Sequence, residues 1–140
     1  MQNQTFIAFD YGERRTGVAV GQSLTQSAQP LQTIESINNQ PNWQQITILI
    51  DEWKPARVIV GIPGYSQQNK GLRAKIKLFC TQLQDRFNLP VDTHDETLSS
   101  DEAYQYLKSK RKISKGKIDK KDIDKVAAAI MLESWMYSNL

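Results

Sequence analysis

Three carboxylates in this chain have the placement to act together: Asp10, Glu96 and Asp124. Asp10 closes the apolar run Phe6-Ile7-Ala8-Phe9, Glu96 follows Val91-Asp92-Thr93-His94-Asp95, and Asp124 stands just before Val126 and the alanines 127–129. An ionised carboxylate at the end of a buried strand, or on the apolar edge of a helix, is costly unless it is paired, hydrogen-bonded or bound to a metal. Convergent carboxylates in a chain with one cysteine and one histidine form a hard oxygen site, which suits Mg²⁺ or Mn²⁺ rather than Zn²⁺. Two such ions ~3.5–4 Å apart can clamp the attacking water and the leaving oxygen of a phosphodiester. The chemistry these residues offer is metal-dependent phosphodiester hydrolysis, with all three acids as catalytic groups and metal ligands.

A polyanionic substrate needs cations nearby. Residues 108–125 carry nine Lys or Arg against three Asp, half of all the basic residues, so the rest of the chain is net negative although the whole is +3. With Gly116 inside it, the block reads as a mobile basic loop, and Lys110, Arg111, Lys112, Lys115 and Lys117 are its candidate nucleic-acid contacts. Arg14 and Arg15, four and five residues past Asp10, are either phosphate contacts or surface charge. Simpler roles exist for the acids as well: a turn cap for Asp10, a solvated strand end for Glu96, and a first-turn helix acid for Asp124. His94 is most simply a strand histidine, and Trp43, Trp53 and Trp135 core residues.

Positioning the acids requires particular elements. Phe6–Asp10 and Thr16–Gly21 read as strands around a tight turn, and residues 28–34 add a third, with Pro30 marking an edge. Trp43, Ile46, Ile50 and Trp53 have helical spacing that Pro55 ends. Arg57–Pro63 lacks polar alternation, as does a strand buried on both faces. A polar stretch, Gly64–Gly71, leads into a helix through Ile76, Phe79, Cys80, Leu83 and Phe87. Val91–Glu96 is a short strand, Ser99 with Glu102 forms a capping box for a helix through Ala103, Tyr106 and Leu107, and the last helix carries Ile123, Val126, Ala127, Ile130 and Ser134 on one stripe. Helix-joined strands pair in parallel through crossovers, so the order implies an α/β, ribonuclease-H-like fold: a five-stranded mixed sheet flanked by helices. Asp10 and Glu96 then sit at the carboxyl ends of strands, where α/β sites form.

These residues also carry a resemblance. Phe9-Asp10-Tyr11-Gly12 with Arg15–Gly21, Val60-Gly61-Ile62-Pro63, Asp95–Ser100, and Lys115-Gly116-Lys117 with Asp124 and Ala127–Ser134 resemble the YqgF family, also called RuvX, in the same order from about residue 6 to 137. Its members resemble Holliday-junction resolvases in fold and are described as candidate nucleases maturing the 5′ end of pre-16S ribosomal RNA. The resemblance places the family's acidic triad on Asp10, Glu96 and Asp124. It departs from the family in three ways: Thr97 stands where arginine is usual, residues 64–71 lack the usual Asp-Gly, and Asp119 as well as Asp124 fits the third acid. Five residues turn a helix through about 500°, so only one of the two can face the site; downstream spacing selects Asp124.

Size and composition bound the rest. With 140 residues and 39% apolar composition, residues 1–140 are expected to form a single nuclease domain. No run approaches the ~20 apolar residues of a membrane span, and the first residues lack signal-peptide character, so a cytoplasmic protein without membrane attachment is expected. Cys80 reads as a small buried apolar residue. The partner is nucleic acid, structured RNA or branched DNA, and the protein a monomer or weak homodimer, since resolving a junction needs two-fold symmetry. Alternatives are a Holliday junction resolvase, a non-catalytic RNA-binding assembly factor, and an ATP-binding module suggested by Asp10-Tyr11-Gly12 with Thr16–Val20; the last lacks the length for a second domain.

Overall fold

Short turns between apolar runs make the first three strands a meander: β1 (Thr5–Asp10), β2 (Arg15–Gln22) and β3 (Ser27–Glu35) pair antiparallel in sequence order. The computed structural model describes residues 2–95 and 119–140. In the β1–β2 turn, any Cβ on Gly12 would overlap the carbonyl oxygen of Arg15, so only glycine allows so tight a reversal. Pro30 lies on β3 beside a register shift opposite Val18 and Ala19; β3 is an edge strand, where a missing amide donor costs no ladder bond.

Beyond the meander, strands alternate with helices. Helix α1 (Trp43–Trp53) starts at Asn42, whose side chain accepts from the Gln45 amide, and ends at Lys54 in the left-handed region ahead of Pro55. Strand β4 (Arg57–Ile62), helix α2 (Lys70–Phe87) and strand β5 (Val91–Asp95) follow, and α3 (Lys120–Asn139) closes the chain. The sheet order is β3-β2-β1-β4-β5, with β1–β4 and β4–β5 parallel. Asp10 thus ends the central strand of a five-stranded mixed sheet, as the sequence predicts.

The two sheet faces are packed differently. Ile7, Phe9, Val18, Val58 and Val60 face Ile46, Leu49 and Ile50 of α1 and Ile76, Phe79 and Leu83 of α2, all nearly inaccessible. Phe6, Ala8 and Ile59 face Met131, Leu132, Trp135 and Met136 of α3, with Phe6 and Trp135 edge to face at 5.1 Å. Alternation along each strand sends neighbouring residues to opposite layers. The stripe expected on α3 needs correction: Ser134 is exposed and Ile130 only half-buried, while Ala128, Leu132, Trp135 and Met136 face the sheet. A long helix crossing a flat sheet buries a wider arc than one i, i+3, i+4 row.

The basic block is also corrected in its last part. Lys120, Lys121 and Lys125 belong to α3 rather than to a loop; Lys121 pairs with Glu35 at 2.8 Å and Lys125 with Asp122 at 3.3 Å. The capping box at Ser99, its helix through Leu107, and Lys110, Arg111, Lys112, Lys115 and Lys117 lie outside the described residues, as does Glu96. Among the described residues no helix is long and apolar enough to cross a membrane.

Candidate active site

The candidate site begins with the parity of β1. Phe6 and Ala8 pack on α3, whereas Ile7 and Phe9 pack on α1 and α2. Asp10 has the parity of Ala8, so its carboxylate leaves the sheet on the α3 face, half-buried at the strand's carboxyl end. Its register partner across the ladder is Gly17 of β2.

Gly17 explains how a helix residue reaches this place. A Cβ there would overlap the backbone carbonyl of Asp124 and come within 2.9 Å of the Lys125 amide nitrogen. Two residues on, Ala19 packs against Ala128 and Ala129, and a Cβ on Gly21 would meet Leu132 at 2.8 Å. The α3 face of β2 is therefore the small-residue row Gly17, Ala19, Gly21, matched by the alanines of α3. Removing side chains from both surfaces lets the helix backbone touch the strand, and Asp124 lands beside the residue paired with Asp10. Register partners in an antiparallel ladder are ~4.5–5.5 Å apart at Cα, so the Asp124 backbone sits on the α3 face over the immediate ladder neighbour of Asp10.

Polar contacts fix the amino end of α3 in this position. Asp119 has extended backbone and its side chain accepts from the Lys121 amide at 3.0 Å, so it is the helix cap, not a second acid facing the sheet. Thr33 of β3 donates to the Lys121 carbonyl, and farther along the helix Ala28 of β3 donates to Glu133 at 3.0 Å. Lys121 donates to Glu35, and this hydrogen bond with the lysine's charge holds the Glu35 carboxyl below its usual range.

Arg15 does what neither sequence reading assigned to it. Its Nε donates to Asp124 Oδ2 at 3.0 Å, joining residues 109 apart in the chain, with the two side chains about 30% and 27% exposed. A guanidinium this close competes with any other cation for the carboxylate. Nothing in local sequence signals a pairing across such a separation. Arg14 is exposed on the same turn.

On β5, Asp92 and His94 have the parity that faces α3, and His94 Nε2 hydrogen-bonds Ser134 Oγ at 3.0 Å. The histidine is thus a strut between an edge strand and α3. Asp92 is paired with Arg57 at 2.9 Å. Strand β5 ends at Asp95, the residue before Glu96. Among the described residues no three Asp, Glu, His or Cys side chains converge as a metal-binding group, and the described acids of the predicted triad are Asp10 and Asp124.

Comparison with known proteins adds independent findings. The profile of a family called RuvX, described as Holliday junction resolvase, matches residues 4–138. A Haemophilus ducreyi protein named "Putative pre-16S rRNA nuclease" is 40% identical over 136 residues, covering 96% of this chain and 97% of the relative. A Pseudomonas putida protein of the same name is 39% identical over 134 residues, covering 95% and 94%. Among solved structures, fowlpox virus resolvase with Holliday junction DNA superposes with a TM-score of 0.61 at 16% identity, over 97% of this chain and 99% of that one. T. thermophilus RuvC with its Holliday junction substrate gives 0.59 at 14%, over 96% and 94%. At such identities the structural likeness shows the fold, and the fold is ribonuclease-H-like.

Proposed function

The chain belongs to the RuvX family, and from that premise we propose that it is a metal-dependent nuclease that hydrolyses phosphodiester bonds in the 5′-end maturation of pre-16S ribosomal RNA. One observation carries the reading at the level of chemistry. Asp10 and Asp124 come from opposite ends of the chain, yet both adjoin Gly17, Asp10 as its ladder partner and Asp124 through its backbone on the α3 face. Glu96 is the third acid of the proposal, next in sequence after Asp95, where β5 ends.

The donor set fits hard divalent ions, because every proposed ligand is a carboxylate oxygen. Asp10, Glu96 and Asp124 would hold Mg²⁺ or Mn²⁺, which supplies a lowered water pKa and neutralises charge developing on the phosphate. The chain's own residues do the rest. Arg15 holds the Asp124 carboxylate by an ion pair at 3.0 Å and would compete with a divalent ion for it. The cationic side chains of Lys110, Arg111, Lys112, Lys115 and Lys117, with Arg14, attract the RNA backbone, so binding should weaken steeply with salt. A monomer or weak homodimer of one domain spanning residues 1–140, working in the cytoplasm, completes the proposal; trimming one strand needs no two-fold partner.

The decisive assay offers precursor ribosomal RNA, four-way DNA junctions and single strands side by side with Mn²⁺. The native protein is expected to cut the RNA, and Asp10→Asn to lose more than about a hundredfold of that rate with its melting temperature retained. Undiminished cleavage by the purified variant would remove Asp10 from the site. Cleavage confined to junctions would make branched DNA the substrate, and full activity in a chelator would end the metal reading.

A further inference from the structure

Two adjoining pockets lead away from the acid pair around the carboxyl edge of the sheet. The first, of about 320 Å³, is bounded by Arg14, Arg15, Glu35, Ser36 and Asn38. The second, of about 280 Å³, is bounded by Tyr11, Lys75, Leu78, Phe79 and Gln82. Glu13 and Asn39 line both. Arg15 reaches Asp124 on the α3 face, whereas Tyr11 packs against Phe79 on the α1 and α2 face, ring centroids 5.1 Å apart. The two pockets thus adjoin at Glu13 and Asn39, one towards each face of the sheet beside the β1–β2 turn, and are taken together as two halves of a groove.

The chemistry of the groove changes along its length. In the first half, both carboxylates already have cationic partners, Glu35 with Lys121 at 2.8 Å and Glu13 with Lys75 at 3.0 Å. Arg14 is exposed there, so the local potential favours an anion. Asn38 and Asn39 sit at φ 52° and 63° in a tight turn closed by the Ile37–Gln40 bridge, which presents their amides from a fixed backbone. In the second half, Tyr11 and Leu78, the latter 57% exposed, make an apolar wall beside the Gln82 and Asn39 amides. Burial raises the Tyr11 phenol pKa, with Lys75 opposing and Glu13 adding to the rise, so the phenol is neutral at ordinary pH.

We propose that this groove holds a single-stranded segment of the nucleic-acid substrate beside the scissile bond, with a backbone phosphate against Arg14 and one unpaired base against Tyr11, Leu78 and Gln82. An aromatic and aliphatic wall flanked by amides is the chemistry that recognises a splayed base, by stacking and by hydrogen bonds to its edges. The volume of about 280 Å³ lies at the small end of ligand sites, near ~300 Å³, which suits one base. Paired, stacked bases of a duplex cannot enter. The inference rests on the nuclease reading and narrows its substrates to those with an unpaired nucleotide flanking the cut.

Binding, measured separately from cleavage, tests it. With the Asp10→Asn protein, a hairpin carrying a short single-stranded tail is expected to bind about tenfold more tightly than the same hairpin with a blunt end. Leu78→Trp fills the second pocket from an exposed helix position and should abolish that preference, leaving blunt-hairpin affinity within about twofold. Removing one base from the tail should cost the native groove the same factor and cost the Leu78→Trp protein nothing. A tail preference that survives Leu78→Trp, or no tail preference at all, overturns the groove while leaving the nuclease reading standing. Tail binding that obeys these rules in a protein without Mn²⁺-dependent cleavage overturns the nuclease reading instead. Failure to bind any nucleic acid overturns both.

Discussion

The two faces of the sheet solve opposite problems. The α1 and α2 face is thick, built from Phe9, Phe79, Leu83 and β-branched residues that fill space with apolar volume. The α3 face opposite β2 is thin, built from Gly17, Ala19 and Gly21 against Ala128 and Ala129, and ends in charged groups. Large side chains bury the most apolar area and so do most to hold the fold. Small ones bury less but let a helix backbone approach a strand, which is how residue 124 comes against Gly17, the ladder partner of residue 10. Stability and site geometry are thus divided between the two faces.

Substitutions on each face should separate these roles. Leu83→Ala empties space in the thick face and should cost about 2–5 kcal/mol of stability in denaturant unfolding, while cleavage per folded molecule stays as in the native protein; a parallel loss of specific activity would break the division. Gly17→Ala should cost about 1–3 kcal/mol by overpacking and also lower activity, because the α3 backbone must move off β2 and carry Asp124 with it. If Gly17→Ala loses stability alone, the close approach does not set the site. Arg15→Gln removes the partner of Asp124; since both side chains are partly exposed, the stability change should stay within about 1 kcal/mol. The same variant should bind Mn²⁺ more tightly than the native protein in calorimetry, because the competing guanidinium is gone.

The smallest effect belongs to Cys80, on the thick face. Burial pushes its thiol pKa up to about 11, above the ordinary ~8.5. The folded state therefore favours the neutral thiol: its contribution is fully present below the ordinary value and fades as pH rises towards 11. A thiol reagent at pH 8 should modify the folded protein far more slowly than the urea-unfolded chain, and equal rates would show that this face admits solvent.

Some of this was legible in residue order. The unbroken apolar run Arg57–Pro63 announced a doubly covered strand, the turn at Gly12 announced the hairpin, and Pro30 announced the edge. The placement of Asp10 at the end of a central strand followed from those signals alone. The α3 stripe was misread at Ser134 because helical period gives a row of residues but not the width of surface that will cover it. Lys120, Lys121 and Lys125 were counted with the basic loop because charge density marks the block but not the point inside it where the helix capped by Asp119 begins.

What the sequence determined by itself was periodicity and punctuation: which segments are strands or helices, which are buried, and which acids close them. It offered two acids, Asp119 and Asp124, for one place, and only spacing favoured Asp124. Tertiary structure gave each its surroundings, capping the helix with Asp119 and pressing Asp124 against Gly17. It also decided that Arg15 pairs with Asp124 and that Tyr11 and Arg14 line neighbouring pockets that share Glu13 and Asn39. The physical reason is range: hydrogen bonding and period act within a few residues and are written locally, whereas ion pairs and close backbone approach depend on which surfaces meet when the sheet and α3 pack.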